Sequence, residues 1–155
     1  MTPAINTAIK ARITYTVHEY DHDPSETSYG LEAANKLNIA AGRVFKTLVV
    51  NIGAKELAVA IVPVSSMLNM KRVAKVMGVK KVNMAEVPDV ERSTGYVLGG
   101  VSPLGQKKKL KTVIDSSALE YATVFISAGR RGLEIELTPH DLQSLTRASL
   151  ANISD

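Results

Sequence analysis

The stretch "RVFKTLVVNI" at 43–52, the linker "GAK" at 53–55 and "ELAVAIVPV" at 56–64 together decide the fold. Two runs rich in β-branched residues, separated by a turn that contains Gly53, predict a strand pair. Side chains alternate along a strand, so Val44, Lys46, Leu48 and Val50 share one face while Phe45, Thr47 and Val49 share the other. Lys46 therefore stands among apolar neighbours whichever face is buried. A buried ammonium needs a partner or a substrate anion, which makes an inward Lys46 a candidate site residue. The alternative is a lysine near the strand end that snorkels to water. Periodicity leaves both readings open.

Around this pair, helix and strand patterns alternate without an internal repeat or a long linker. "TPAINTAIKA" begins with Thr2 as an N-cap and Pro3 at the first helical position, and "LEAANKLNI" after Gly30 also reads as helix. Asn69 caps "MKRVAKVM", and Gly78 stops it. The last helix is "PHDLQSLTR", with Thr138 as cap and Asp141 three residues later. "RITYTVHEY", "VKKVNM", "LKTVID", "TVFISA" and "LEIELT" read as further strands. The expected architecture is α+β: a curled mixed sheet or barrel-like core with flanking α-helices, in a single domain over residues 1–155.

A chain of 155 residues, 45% hydrophobic and 22% charged, is long enough to bury a substantial core. Nothing approaches a membrane span, and "MTPAINTAIKAR" is too polar for a signal peptide, which points to a cytoplasmic protein. The absence of cysteine excludes disulfides, a thiolate nucleophile and cysteine-ligated zinc. A net charge of +4 is compatible with a polyanionic partner and equally with an inert surface.

Residues 93–106, "STGYVLGGVSPLGQ", hold four glycines and run directly into "KKKLK" at 107–111. Glycine lets a ligand approach the main chain, so this stretch can present N–H groups to an anion or an oxyanion; it can also be a tight loop and nothing more. It matches neither phosphate-binding fingerprint. "ISAGRRG" at 126–132 again places a serine, small residues and cations near a strand end. The lysine run reads either as an RNA contact or as a solvated face.

"FKTL" at 45–48, "STGYVLGGVSPLGQKKK" at 93–109 and "ISAGRRGLEIEL" at 126–137, in this order, resemble the bacterial YbaK-type Cys-tRNA(Pro) deacylases over nearly the whole chain. The resemblance implies trans-editing hydrolysis of mischarged Cys-tRNA(Pro), with mischarged tRNA(Pro) and prolyl-tRNA synthetase as partners and with neither cofactor nor metal. It also implies a mechanism in which the substrate's own thiol attacks its ester and leaves a cyclic thiolactone. The family's essential lysine falls on Lys46, and its glycine pair on Gly99 and Gly100. Tyr20, Tyr29, Thr47, Ser127 and Glu134 fall on pocket positions, with Lys107, Lys108 and Lys109 beside them as phosphate contacts. Tyr29 replaces a common phenylalanine, Ala128 a glycine, and Glu134 an aspartate. Two other readings stand beside this one: a deacylase for another amino acid such as alanine, and a non-catalytic module that binds tRNA or the synthetase.

His18 and His22 in "HEYDHD" share a strand face with Tyr20, but no third metal ligand follows at a familiar spacing. Met67, Met70, Met77 and Met84 are expected to fill the core rather than to form a binding face. Asp115 and Glu136 do not pair convincingly as catalytic carboxylates.

Overall fold

Within residues 43–64 lies the antiparallel pair β2 (Phe45–Gly53) and β3 (Glu56–Pro63), with Lys46 opposite Val62 and Val50 opposite Ala58. The turn residues Ala54 and Lys55 take φ of 46° and 65°, left-handed geometry whose twist suits a hairpin. The computed structural model describes residues 1–155. β5 (Lys111–Asp115) runs parallel to β3, and β8 (Ser149–Ala151) parallel to β5. β4 (Asn83–Met84) extends the other edge, giving the strand order β4-β2-β3-β5-β8.

The second sheet has the order β1-β7-β6 and is antiparallel, built from β1 (Thr16–Glu19), β6 (Val124–Arg130) and β7 (Leu133–Leu137). A bridge between Val44 and Phe125 joins the sheets. The result is the α+β architecture expected from the sequence, curled without closing into a barrel. Phe45, Val49, Val59 and Ile61 on one face of the β2–β3 pair meet Ile126, Ile135 and Leu137 of the second sheet in the main core. Val50, Ala58, Ala60 and Val62 on the other face pack under Val73 and Ala74 of α3 (Met70–Met77). Burial on both faces is why β3 is an unbroken apolar run rather than an alternating one.

The caps behave as their chemistry requires. Thr2 accepts from the Ile5 N–H at the start of α1 (Pro3–Ala11), and Asn69 accepts from the Arg72 N–H at the start of α3. Thr138 accepts from the Asp141 N–H at the start of α5 (Pro139–Thr146). α2 (Tyr29–Leu37) follows Ser28.

Four expectations change. "RITYTVHEY" pairs only from Thr16 to Glu19, because Arg12 is spent as the left-handed cap of α1 and Ile13 and Tyr15 pack on the core as irregular chain. "VKKVNM" pairs only at Asn83 and Met84. A helix not anticipated, α4 (Val87–Thr94), precedes the glycine-rich stretch. Met70 and Met77 pack on the core beneath α3, but Met67 and Met84 are 71% and 48% exposed and do not fill it. No helix is long and apolar enough to cross a membrane.

Candidate active site

Where the two sheets meet, a cavity of about 340 Å³ opens, within the range of small-ligand sites. Val64, just after β3, is one wall, and five further segments supply the rest. The start of β2 supplies Lys46 and Thr47, and the segment after β1 supplies Tyr20. The first turn of α2 supplies Tyr29, the glycine-rich loop Gly99, and the β6–β7 hairpin Ser127, Arg131 and Glu134. All but one of the pocket positions named from sequence converge here.

The exception is Gly100. It does not line the cavity, and its N–H is already donated to Val97 O at 2.9 Å, so it has no donor left for an oxyanion. Its purpose is close packing: a Cβ at this position would lie 2.7 Å from the Arg130 Cα. Only glycine lets the loop rest against the hairpin there. Gly99 differs. It has φ of +92°, faces the cavity, and its N–H meets no acceptor in the protein. Of the glycine pair, Gly99 is the one able to donate to a ligand.

Three polar side chains of the cavity wall, Thr47, Lys46 and Glu134, are unpaired. Thr47 Oγ1 is buried without a hydrogen-bond partner. Lys46 forms no ion pair, and burial alone holds its ammonium below the usual lysine range. Glu134 is 6% exposed, and burial pushes its carboxyl up to about 8, so it is largely protonated at neutral pH. Burial, and next the nearby Glu134, push the Tyr20 phenol up to about 12, leaving it a hydrogen-bond donor.

Glu136, two residues along the same face of β7, is the opposite case. Thr123 donates to it at 2.6 Å, His18 Nε2 lies 2.8 Å away and Arg43 donates at 3.2 Å; these hold its carboxyl low, the Thr123 hydrogen bond most of all. One carboxyl is satisfied structurally and the other is left facing the cavity without a partner.

The two histidines do not converge. His18 serves Glu136, while His22 Nδ1 lies 2.7 Å from Glu32 Oε1 on α2. Burial opposes ionisation of Glu32, but His22 and the Asp23 N–H more than offset it and keep its carboxyl low. Asp115 is structural too, accepting from the Ile153 N–H at 2.9 Å and tying down the C-terminal segment. Ser127 Oγ accepts from the Gly129 N–H, and no histidine lies on the cavity wall to activate a serine.

Sequence reasoning did not single out Arg131. Its guanidinium lies 3.8 Å from the centre of the Tyr29 ring, donates to Tyr29 Oη, and reaches Leu98 O at 3.5 Å and His22 Nε2 at 3.4 Å. It clasps α2 to the glycine loop at the mouth of the cavity. Lys107, Lys108 and Lys109 are exposed and lie outside the cavity; the Lys107 and Lys108 N–H groups bond to Thr94 O and Ser93 O, fixing the run against the end of α4.

Residues 23–145 match the model of the family described as aminoacyl-tRNA editing domain. The chain is 41% identical to EbsC of Enterococcus faecalis, a proposed Cys-tRNA(Pro)/Cys-tRNA(Cys) deacylase, over 88% of this chain and 84% of that one. It is 26% identical to the uncharacterised protein YwhH of Bacillus subtilis over 90% of this chain and 89% of that one. Among solved structures, a proposed trans-editing enzyme for prolyl-tRNA synthetase superposes with a TM-score of 0.84 at 26% identity, covering 100% of this chain and 99% of that one.

Proposed function

The chain belongs to the aminoacyl-tRNA editing domain family, and from that premise we propose that it is one editing domain that hydrolyses mischarged Cys-tRNA(Pro) in trans. A synthetase pocket shaped for proline discriminates weakly against a residue of similar bulk, since a methylene is worth only about 1–3 kcal/mol, so a second site must remove the error. Mischarged tRNA(Pro) is the substrate, prolyl-tRNA synthetase the partner that supplies tRNA identity, and the cytoplasm the place of action.

The observation that carries this reading is a cavity with unpaired polar groups and no protein nucleophile paired to a base. Such a site holds and polarises a substrate that brings its own nucleophile. The cysteinyl thiol gives up its proton and its sulfur attacks the ester carbonyl. The carbon–oxygen bond to the ribose then breaks, the ribose oxygen takes a proton, and water later opens the cyclic thiolactone to cysteine. Holding sulfur and carbonyl in attack geometry can contribute about 7–11 kcal/mol.

Lys46 places positive charge beside the ester or the terminal phosphate, and the Gly99 N–H is available to the oxyanion. Thr47 and Tyr20 offer hydroxyls to the aminoacyl end. Glu134, protonated, offers a donor and puts no negative charge next to the thiolate or oxyanion forming there. The test is the rate of ester loss from cysteinyl and alanyl tRNA(Pro) under single-turnover conditions. Cysteine-selective loss is expected; equal loss from the alanyl ester would contradict attack by the substrate's thiol.

A further inference from the structure

Of the 15 acidic residues, none falls in residues 57–85 or 92–114, yet these two stretches hold 10 of the 19 lysines and arginines. Lys71, Lys75, Lys80 and Lys81 lie on or just beyond α3, where Lys80 and Lys81 project outward between the anchored Val79 and Val82. Lys111 opens β5, far away in sequence. The fold brings it to the end of α3: Lys111 and Thr112 share a surface groove with Val76 and Met77, which Arg147 and Ser149 also line. None of Lys71, Lys75, Lys80, Lys81, Lys111 or Arg147 forms an ion pair. Arg72 is set apart, bonded to Asn152 and to Ser154 O, and the one carboxylate bonded to this helix's cap is Asp155, through Asn69.

We propose that the exposed surface of α3, from Lys71 and Lys75 across to the groove lined by Lys111 and Arg147, is a phosphate track for the RNA body whose 3′ end occupies the cavity. By alternation along β2, Lys46 belongs to the same sheet face as Leu48 and Val50, the face that α3 covers, so cavity and track lie on one side of the sheet. The composition of this surface favours a nucleic acid backbone over an acidic protein. Five of its six unpartnered cations are lysines, it carries no aromatic residue, and its central apolar side chain, Val76, is only 37% exposed. Protein-docking cores are depleted in lysine and rely on aromatic and arginine anchors, whereas flexible ammonium groups suit sequence-independent phosphate contacts.

The proposal rests on the RNA-substrate reading above, and its test separates the two. Binding of uncharged tRNA is measured against salt concentration for wild type and for the combined Lys71→Gln, Lys75→Gln, Lys80→Gln, Lys81→Gln variant. Each phosphate contact contributes about −0.9 to the slope of log affinity against log salt on a duplex, so the slope should shrink by about 3 to 4, with at least about a tenfold loss of affinity at low salt. Hydrolysis of a cysteinyl ester on a short 3′-terminal oligonucleotide should stay at the wild-type rate. The charge-reversing pair Lys71→Glu and Lys75→Glu should also weaken binding. An unchanged slope overturns the track, and an unchanged slope with lost capture of prolyl-tRNA synthetase reassigns the surface to an acidic protein. A wild-type enzyme that cleaves no aminoacyl ester would overturn the functional reading alone, since the slope is read without any chemistry.

Discussion

Replacing Glu134 with glutamine keeps the shape of the side chain and removes its ability to ionise. In the folded protein the carboxyl titrates at about 8, against an ordinary value of 4.5, because it is buried at the cavity wall. The folded state thus holds this proton to a higher pH than the unfolded state does, and the contribution of Glu134 to stability falls as pH rises from about 4.5 to about 8, then levels off. At 1.36 kcal/mol per tenfold, the full difference is about 5 kcal/mol. Glu134→Gln carries no such penalty. Urea unfolding of both proteins at pH 5 and pH 9 isolates the effect, because every other titrating group is shared and cancels in the difference. The variant should be close to wild type at pH 5 and more stable by several kcal/mol at pH 9. An equal difference at both pH values would refute the reasoning and place an ionised Glu134 in a solvated or paired environment.

Lys46→Met removes a half-buried ammonium that no carboxylate neutralises, so the melting temperature should hold or rise while ester hydrolysis falls by at least about 100-fold; a clear drop in melting temperature would make Lys46 a structural residue. Gly100→Ala drives a Cβ into the Arg130 backbone, costs about 1–3 kcal/mol in a urea melt, and shifts Gly99 enough to slow single-turnover hydrolysis by about 100-fold. A wild-type rate in that variant would show that the loop is not seated on the hairpin. Alanine at Lys107, Lys108 and Lys109 together should flatten the salt slope of tRNA binding by about 2 to 3; an unchanged slope assigns them to an idle surface.

Local chemistry made much of the fold legible. β-branched runs around Gly53 specify the β2–β3 hairpin, and Thr2, Asn69 and Thr138 each announce a helix start that forms as written. α4 escaped notice because Glu86 is a poor cap and only Val90 among its apolar residues is buried; Pro88 in its first turn and Gly95 after its end were the available signals. β8 is three residues long and exists only because β5 offers it an edge. The position of Lys46 could not be settled by alternation, since both faces of its strand are covered and what matters is its nearness to the seam at Val44 and Phe125. Arg131 stands in the sequence only as one of two adjacent cations near a strand end. Only the approach of α2, which brings Tyr29 beneath it, makes it part of the site.

The most direct test of the central claim is single-turnover loss of cysteine from Cys-tRNA(Pro), with wild type and Lys46→Ala side by side and Pro-tRNA(Pro) as the correct product. The account predicts fast loss of the cysteinyl ester by wild type, sparing of the prolyl ester, and near-abolition of hydrolysis in a variant that remains folded. Wild-type rates in Lys46→Ala, or equal loss from the prolyl ester, would contradict it.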